Sequence, residues 1–269
     1  MSKTALITGA ANGIGHELAK ILIRDSYDLI LIDKDRDKLE EIKQRWENES
    51  DQTVKIIPKN LSFPGAAHEI FKEVKSWNIP VDVLINNAGF GTFGLFTETD
   101  WERETEMINL HVLATTQLTK LFLKEMIKRN YGNIMNTSSL AAFLPGPLMA
   151  VYYASKAYLL SFTQAIANEV KGTGVSITVL CPGLTKTNFQ KTVGGDKAKI
   201  KWTWTTPDKV AQYGYKAMQK GKVVAIPGFV NLTVAKLSRI VPGSISAKIV
   251  RRFIEMNRKK LCHIPIKNK

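Results

Sequence analysis

Cysteine is scarce in this chain of 269 residues, with only two thiols, Cys181 and Cys262. Two cysteines cannot build a disulfide framework, and their neighbourhoods lack metal-ligand spacing. Reduced thiols in a cytoplasmic protein, and no metal, are therefore expected. Long apolar runs are missing as well, since none approaches the roughly 18 residues that mark a membrane-crossing helix. The N-terminus, MSKTALITGA, enters strand-like sequence with no basic leader segment or cleavage site, which argues against secretion. Repeats, low-complexity tracts and linkers are absent, so one undivided domain is expected. Acid is thin at one end only. Of the net charge of +14, the stretch Asn231–Lys269 carries +9, from ten Lys or Arg against one acid, Glu255. A nearly neutral body with a basic tail does not resemble the footprint of nucleic-acid binding. It points to a local effect on a membrane or an acidic ligand, with solvated charge as the default.

What is present is an alternation of short β-branched runs with longer helical patterns. Thr4–Thr8, Asp28–Asp33, Val54–Pro58, Asp82–Asn86, Asn133–Thr137 and Val175–Cys181 read as buried strands, and Val223–Ile226 as a seventh. Continuous apolar strands suit a parallel sheet covered on both faces. The intervening segments Ile14–Arg24, Lys38–Trp46, Ala66–Trp77, Trp101–Arg129, Tyr152–Lys171 and Asp208–Lys220 have helical length and period. The fold class is α/β: a Rossmann-type doubly wound parallel sheet of about seven strands.

The first strand runs into Thr8-Gly9-Ala10-Ala11-Asn12-Gly13-Ile14-Gly15 and then a helix. Glycines there allow a tight turn and let backbone N–H groups approach a pyrophosphate at the helix N-terminus. Asp33 ends the second strand, where a carboxylate can accept both hydroxyls of an adenosine ribose and repel a 2′-phosphate. That favours NAD, while Lys34 and Arg36 beside it leave NADP possible. Tyr152 and Lys156 stand four apart at the start of a helix and share a face. An ammonium beside a phenol lowers the phenol's pKa toward neutrality, as general acid–base work needs. Ser139 ends a strand thirteen residues before Tyr152, with Ser138 as the adjacent alternative; its hydroxyl can bond a carbonyl oxygen and the alkoxide it becomes.

Together these segments resemble the short-chain dehydrogenase/reductase family over residues 3–228. TGAANGIG is similar to its cofactor turn, Asn86-Asn87-Ala88-Gly89 to its NNAG segment, and Asn60-Leu61 to its adenine-contacting Asp-Leu pair, with Asn in place of Asp. Pro182-Gly183-Leu184-Thr185-Lys186-Thr187 is similar to the segment that holds the nicotinamide carboxamide. The resemblance implies a catalytic tetrad of Asn109, Ser139, Tyr152 and Lys156. Tyr152 would move the proton, Lys156 would bind the nicotinamide ribose, Ser139 would orient the substrate, and Asn109 would hold a water relaying protons through Lys156. It also implies an NAD(P)-dependent oxidoreductase that interconverts a secondary alcohol and a carbonyl, working as a homo-oligomer. The alternative is a catalytically silent dinucleotide-binding module of the same fold.

Residues 1–230 then form the catalytic domain, with a substrate loop over 188–206, and 231–269 a basic helical extension packed on it. Trp202, Trp204 and Phe189 in the loop either line an apolar pocket or pack on the body. The resemblance places Phe90, Phe93, Leu144 and Met149 where family members often contact substrate, which suggests a lipophilic ligand. In the extension, Ile245, Ile249, Val250, Phe253, Ile254 and Met256 recur near helical spacing among Lys248, Arg251, Arg252 and Arg258. The expected outcome is a helix packed on the body over the pocket, and the less favoured one is contact with a membrane interface.

Overall fold

Successive residues of a strand point to opposite faces, and this period of two sorts the core into two layers. The computed structural model describes residues 2–189 and 204–257. From β1 (Lys3–Thr8), Ala5 and Ile7 go to one side and Leu6 to the other; from β2 (Tyr27–Asp33), Leu29 and Leu31 part from Ile30 and Ile32 in the same way. The first side is covered by α1 (Gly13–Arg24), α2 (Arg36–Glu49) and α7 (Pro207–Gln219), through Leu18, Leu22, Leu39, Val210 and Met218. The second is covered by α3 (Ala66–Ser76), α5 (Thr115–Lys128) and α6 (Ala150–Glu169), through Ile70, Val74, Leu118, Phe122 and Ala167. The remaining strands are β3 (Val54–Pro58), β4 (Val83–Asn86), β5 (Gly132–Thr137), β6 (Val175–Leu180) and β7 (Val224–Ala225).

All the pairings are parallel, and the order is β3-β2-β1-β4-β5-β6-β7. The chain builds outward from β1 to β3, then returns to add β4 on the other side of β1. Loops leaving β1 and β4 diverge at that switch point and open a crevice at the carboxyl ends of the strands. A buried polar ladder ties the second half of the sheet to its helices. Asn86 Nδ2 donates to Thr119 Oγ1 at 3.0 Å and to Asn136 Oδ1 at 2.8 Å, and Asn136 Nδ2 donates to Thr163 Oγ1 at 3.0 Å.

One expected helix, over 101–129, is interrupted. It forms as α4 (Trp101–Ile108), a π-helical stretch Asn109–Ala114, and then α5. Toward the C-terminus follow α8 (Phe229–Leu237) and α9 (Gly243–Asn257). Among the described residues, no helix is long and apolar enough to cross a membrane. Trp202 and Cys262 lie outside the described residues.

Candidate active site

The glycine turn after β1 is built by contact. Gly9 has a left-handed φ of 68°, and a Cβ on it would stand 2.8 Å from the Ala88 Cα. A Cβ on Gly15 would run into the Gly9 carbonyl, so this glycine lets α1 start directly beneath the turn. Asn87 staples the β4 exit to the same turn. Its backbone N–H donates to Thr8 Oγ1 at 3.0 Å, and its Nδ2 donates to the Thr8 and Gly9 carbonyls at 3.2 and 3.3 Å.

These loops wall a cleft of about 700 Å³ that runs from Asp33 past the glycine turn to Tyr152. Of the cofactor-side residues singled out from the sequence, Asn12 and Gly13 at the helix start, Asn60 and Leu61 after β3, Asn87 to Gly89 after β4, and Pro182 to Thr185 with Thr187 after β6 line it, whereas Gly15 lies under the turn and Lys186 is not in the lining. The cradle fits a dinucleotide, because two glycines admit no side chain without collision and a helix N-terminus opens onto it. At the far end, Asp33 is held by two backbone donors. Ala11 N–H reaches Oδ2 at 3.1 Å and Asp35 N–H reaches Oδ1 at 3.2 Å. Lys34 and Lys59 also line this end, whereas Arg36 does not. Lys38, not singled out from the sequence, donates to Asn12 Oδ1 at 2.7 Å.

At the near end, α6 presents Tyr152 and Lys156 on one buried face. Ser139 caps the short 3₁₀ turn Leu140–Phe143, where its Oγ accepts the Ala141 N–H at 3.1 Å, and it lines the cleft together with Tyr152. Ser138 is turned away, its hydroxyl donating to the Lys156 carbonyl at 2.7 Å. Lys156 Nζ donates to the Thr137 carbonyl at 3.1 Å and lies 5.8 Å from the Tyr152 ring centre.

The expected lowering of the phenol's pKa is not found. Burial pushes the Tyr152 phenol well above its ordinary value, with the Ser139 hydroxyl opposing, and pulls Lys156 down to about 7. Desolvation opposes the charged form of each group and is the largest cause of both shifts.

Asn109 does not join this group. It lines a separate depression with Leu113, Thr116 and Tyr158. Two positions on, His111 is fully buried behind the cleft wall, which its neighbour Leu110 lines. Its Nε2 accepts the Phe90 N–H at 3.2 Å, its Nδ1 lies 2.9 Å from Ser155 Oγ, and its ring is 6.0 Å from that of Tyr152. A Cβ on Gly89 would come within 2.9 Å of His111 Nε2 and 3.4 Å of Lys156 Nζ, which shows how closely the three pack. Asn109 and His111 both belong to the π-helical stretch, whose wider turn changes which side chains share a face. A histidine in an otherwise apolar run, Leu110-His111-Val112-Leu113-Ala114, was the signal available in the sequence.

The outer wall is apolar. Phe90, Leu144 and Met149 line it, joined by Trp204 and by Phe189, whose ring centre is 5.3 Å from that of Tyr152. Helices α8 and α9 complete the wall with Val230, Val234, Val250, Phe253 and Ile254. Val250 and Ile254 pack with Leu148 as a small core of their own.

The sequence matches the family model for short chain dehydrogenases over residues 3–198. It is 30% identical to Ketoacyl reductase HetN of Nostoc sp. over 267 residues, covering 96% of this chain and 92% of that one. It is 25% identical to a 7beta-hydroxysteroid dehydrogenase of Mediterraneibacter gnavus, over 80% of this chain and 82% of that protein. In structure it is similar to a short-chain dehydrogenase from Sphingobium yanoikuyae in complex with NADPH, with a TM-score of 0.79, 25% identity, and coverage of 88% and 95%. The glycine turn, the stapled NNAG segment and the Ser–Tyr–Lys cluster thus sit in a chain that belongs to the short-chain dehydrogenase family, and the protein is an oxidoreductase.

Proposed function

We propose that the protein interconverts a secondary alcohol and a carbonyl on a lipophilic small molecule, using a nicotinamide dinucleotide. The observation that carries this reading is the meeting, in one cleft, of Ser139, Tyr152 and Lys156 with a glycine cradle at a helix N-terminus. When bound, the cofactor supplies or takes the hydride. Ser139 orients the substrate oxygen, and Tyr152 gives it a proton or removes one. Burial holds Tyr152 as the neutral phenol, the form that donates a proton to a developing alkoxide. Lys156 is held between the Thr137 carbonyl and the cleft, where its Nζ can bond ribose hydroxyls. The apolar wall of Phe90, Leu144, Met149 and Trp204 excludes water and selects for apolar substituents on the reacting carbon.

For the cofactor, Asp33 favours NAD, because a carboxylate fixed at the cleft edge accepts ribose hydroxyls and repels a 2′-phosphate. Lys34 on the same edge supports NADP as the second reading. Fluorescence titration with NADH and NADPH, followed by a panel of aliphatic and alicyclic ketones, tests both choices. Saturable NADH binding and ketone-dependent oxidation of NADH are expected. Binding of neither cofactor overturns the reading.

A further inference from the structure

Helix α9 carries apolar side chains on two sides, and only one of them is spent on the fold. Val250 and Ile254 are buried against Leu148. Ile245, Ile249 and Met256, spaced by four and seven residues, share the opposite face and are 50%, 60% and 60% exposed. Ile240, in the turn before α9, is 80% exposed. On the same outward side stand Lys248 and Arg252, both exposed. The outward stripe also runs into the cleft, because Ile249 and the half-exposed Val230 of α8 line its rim.

We propose that this outward face of α9 docks on an anionic lipid surface, with the cleft mouth at the bilayer interface. Aliphatic side chains flanked by cations suit that boundary: the apolar tips enter the acyl region while Lys248 and Arg252 meet the headgroups. Charge decides against a second copy of the chain. A two-fold contact sets a patch against itself, here cation against cation. The single acid of α9, Glu255, is already paired with Arg251 at 2.8 Å. Nucleic acid would use the cations but leave three aliphatic side chains without a role. The binding does not depend on the chemistry assigned above, though it would give a lipophilic substrate a path into the cleft that avoids water.

Sedimentation of the full-length protein with vesicles tests the proposal, comparing phosphatidylglycerol mixed into phosphatidylcholine with phosphatidylcholine alone. Two double variants accompany the wild type, Ile245→Glu with Met256→Glu and Lys248→Glu with Arg252→Glu, each checked for an unchanged thermal midpoint. Wild-type protein should pellet with the anionic vesicles and be released by added salt. The charge variant should lose at least about 25-fold in partitioning, since each basic residue near an anionic surface contributes roughly fivefold. The apolar variant should stay in the supernatant. Wild-type protein that stays in the supernatant with both vesicle types overturns the proposal. So does binding that neither variant weakens. A dimer in sedimentation velocity that the apolar variant dissociates would instead make this face a contact between copies, and overturns it too.

Discussion

His111 donates from Nδ1 to Ser155 Oγ across 2.9 Å, and the surroundings fix the direction of that bond. Ser155 Oγ gives its own hydrogen to the Tyr152 carbonyl at 2.8 Å, so toward His111 it accepts. On the other side of the ring, Nε2 accepts the Phe90 N–H. Only the neutral Nδ1–H tautomer satisfies both contacts, and complete burial also holds the pKa of His111 well below its ordinary value. The ring therefore ties the loop beside the cofactor cradle to the helix turn that carries Tyr152.

Replacing His111 tests that tie. His111→Asn can keep the donor toward Ser155, and His111→Gln can keep the acceptor toward Phe90, whereas His111→Phe keeps neither. Each buried group left unpaired costs about 1–3 kcal/mol. Chemical denaturation should rank wild type first, Asn and Gln between, and Phe last. A Phe variant as stable as wild type would show that the bonds contribute nothing.

Tyr152→Phe removes the transferable proton and little else. Turnover should fall by about 10²–10⁴-fold while cofactor affinity is retained. Tyr158→Phe is the control, because Tyr158 bonds Thr116 on the exposed side of the molecule. Near wild-type turnover in Tyr152→Phe would remove Tyr152 from its assigned role.

Asp33→Ala should weaken NAD and improve the relative use of NADP. It deletes the ribose acceptor and the repulsion of a 2′-phosphate together. The Ala11 and Asp35 N–H groups also lose their acceptor, so a modest drop in thermal midpoint should accompany the change. The ratio of kcat/KM values for the two cofactors is the measurement. A ratio that does not move would assign the discrimination to Lys34.

Lys156 makes stability depend on pH. Its pKa falls from an ordinary 10.5 when unfolded to about 7 when folded. Between these values the unfolded chain binds the proton and the folded chain does not, so this group adds stability as pH rises from about 7. Cys181, pushed up to about 12 from 9.0, acts in the opposite sense above pH 9. The clean window is thus pH 7 to 9. In it, wild-type stability without cofactor should rise relative to that of Lys156→Met, and the Met variant should be the more stable of the two at pH 7. Parallel pH profiles for the two proteins would contradict the depressed value.

Period and type were enough to locate most elements. The apolar strands and the helix of Tyr152 and Lys156 fall within one to two residues of where their patterns put them, because a strand buried on both faces has no polar interruption to blur its ends. The glycine turn and NNAG segment were legible because their residue types answer to backbone contacts, as at Gly9 against Ala88. The π-helical geometry of Asn109–Ala114 was not legible, since a helical period of 3.6 gives no sign of a wider turn. The pKa of Tyr152 was misread because spacing reveals the neighbouring ammonium but not the depth of burial. The two apolar faces of α9 were hidden as well, since periodicity counts apolar positions without saying which of them a neighbour covers.

The stretch Asn109–Ala114 has a bearing on how such a chain can vary in length. A π turn holds one residue more than the α turn it replaces, so a single codon could be lost there and leave both flanking helices intact. The fold would survive the deletion, and α5 could keep its place on the sheet. His111 would turn away from its contacts, leaving Ser155 and the Phe90 backbone without their common partner. The seating of α5 and the tie between the Phe90 loop and the helix of Tyr152 are separable at this point of the gene by three nucleotides.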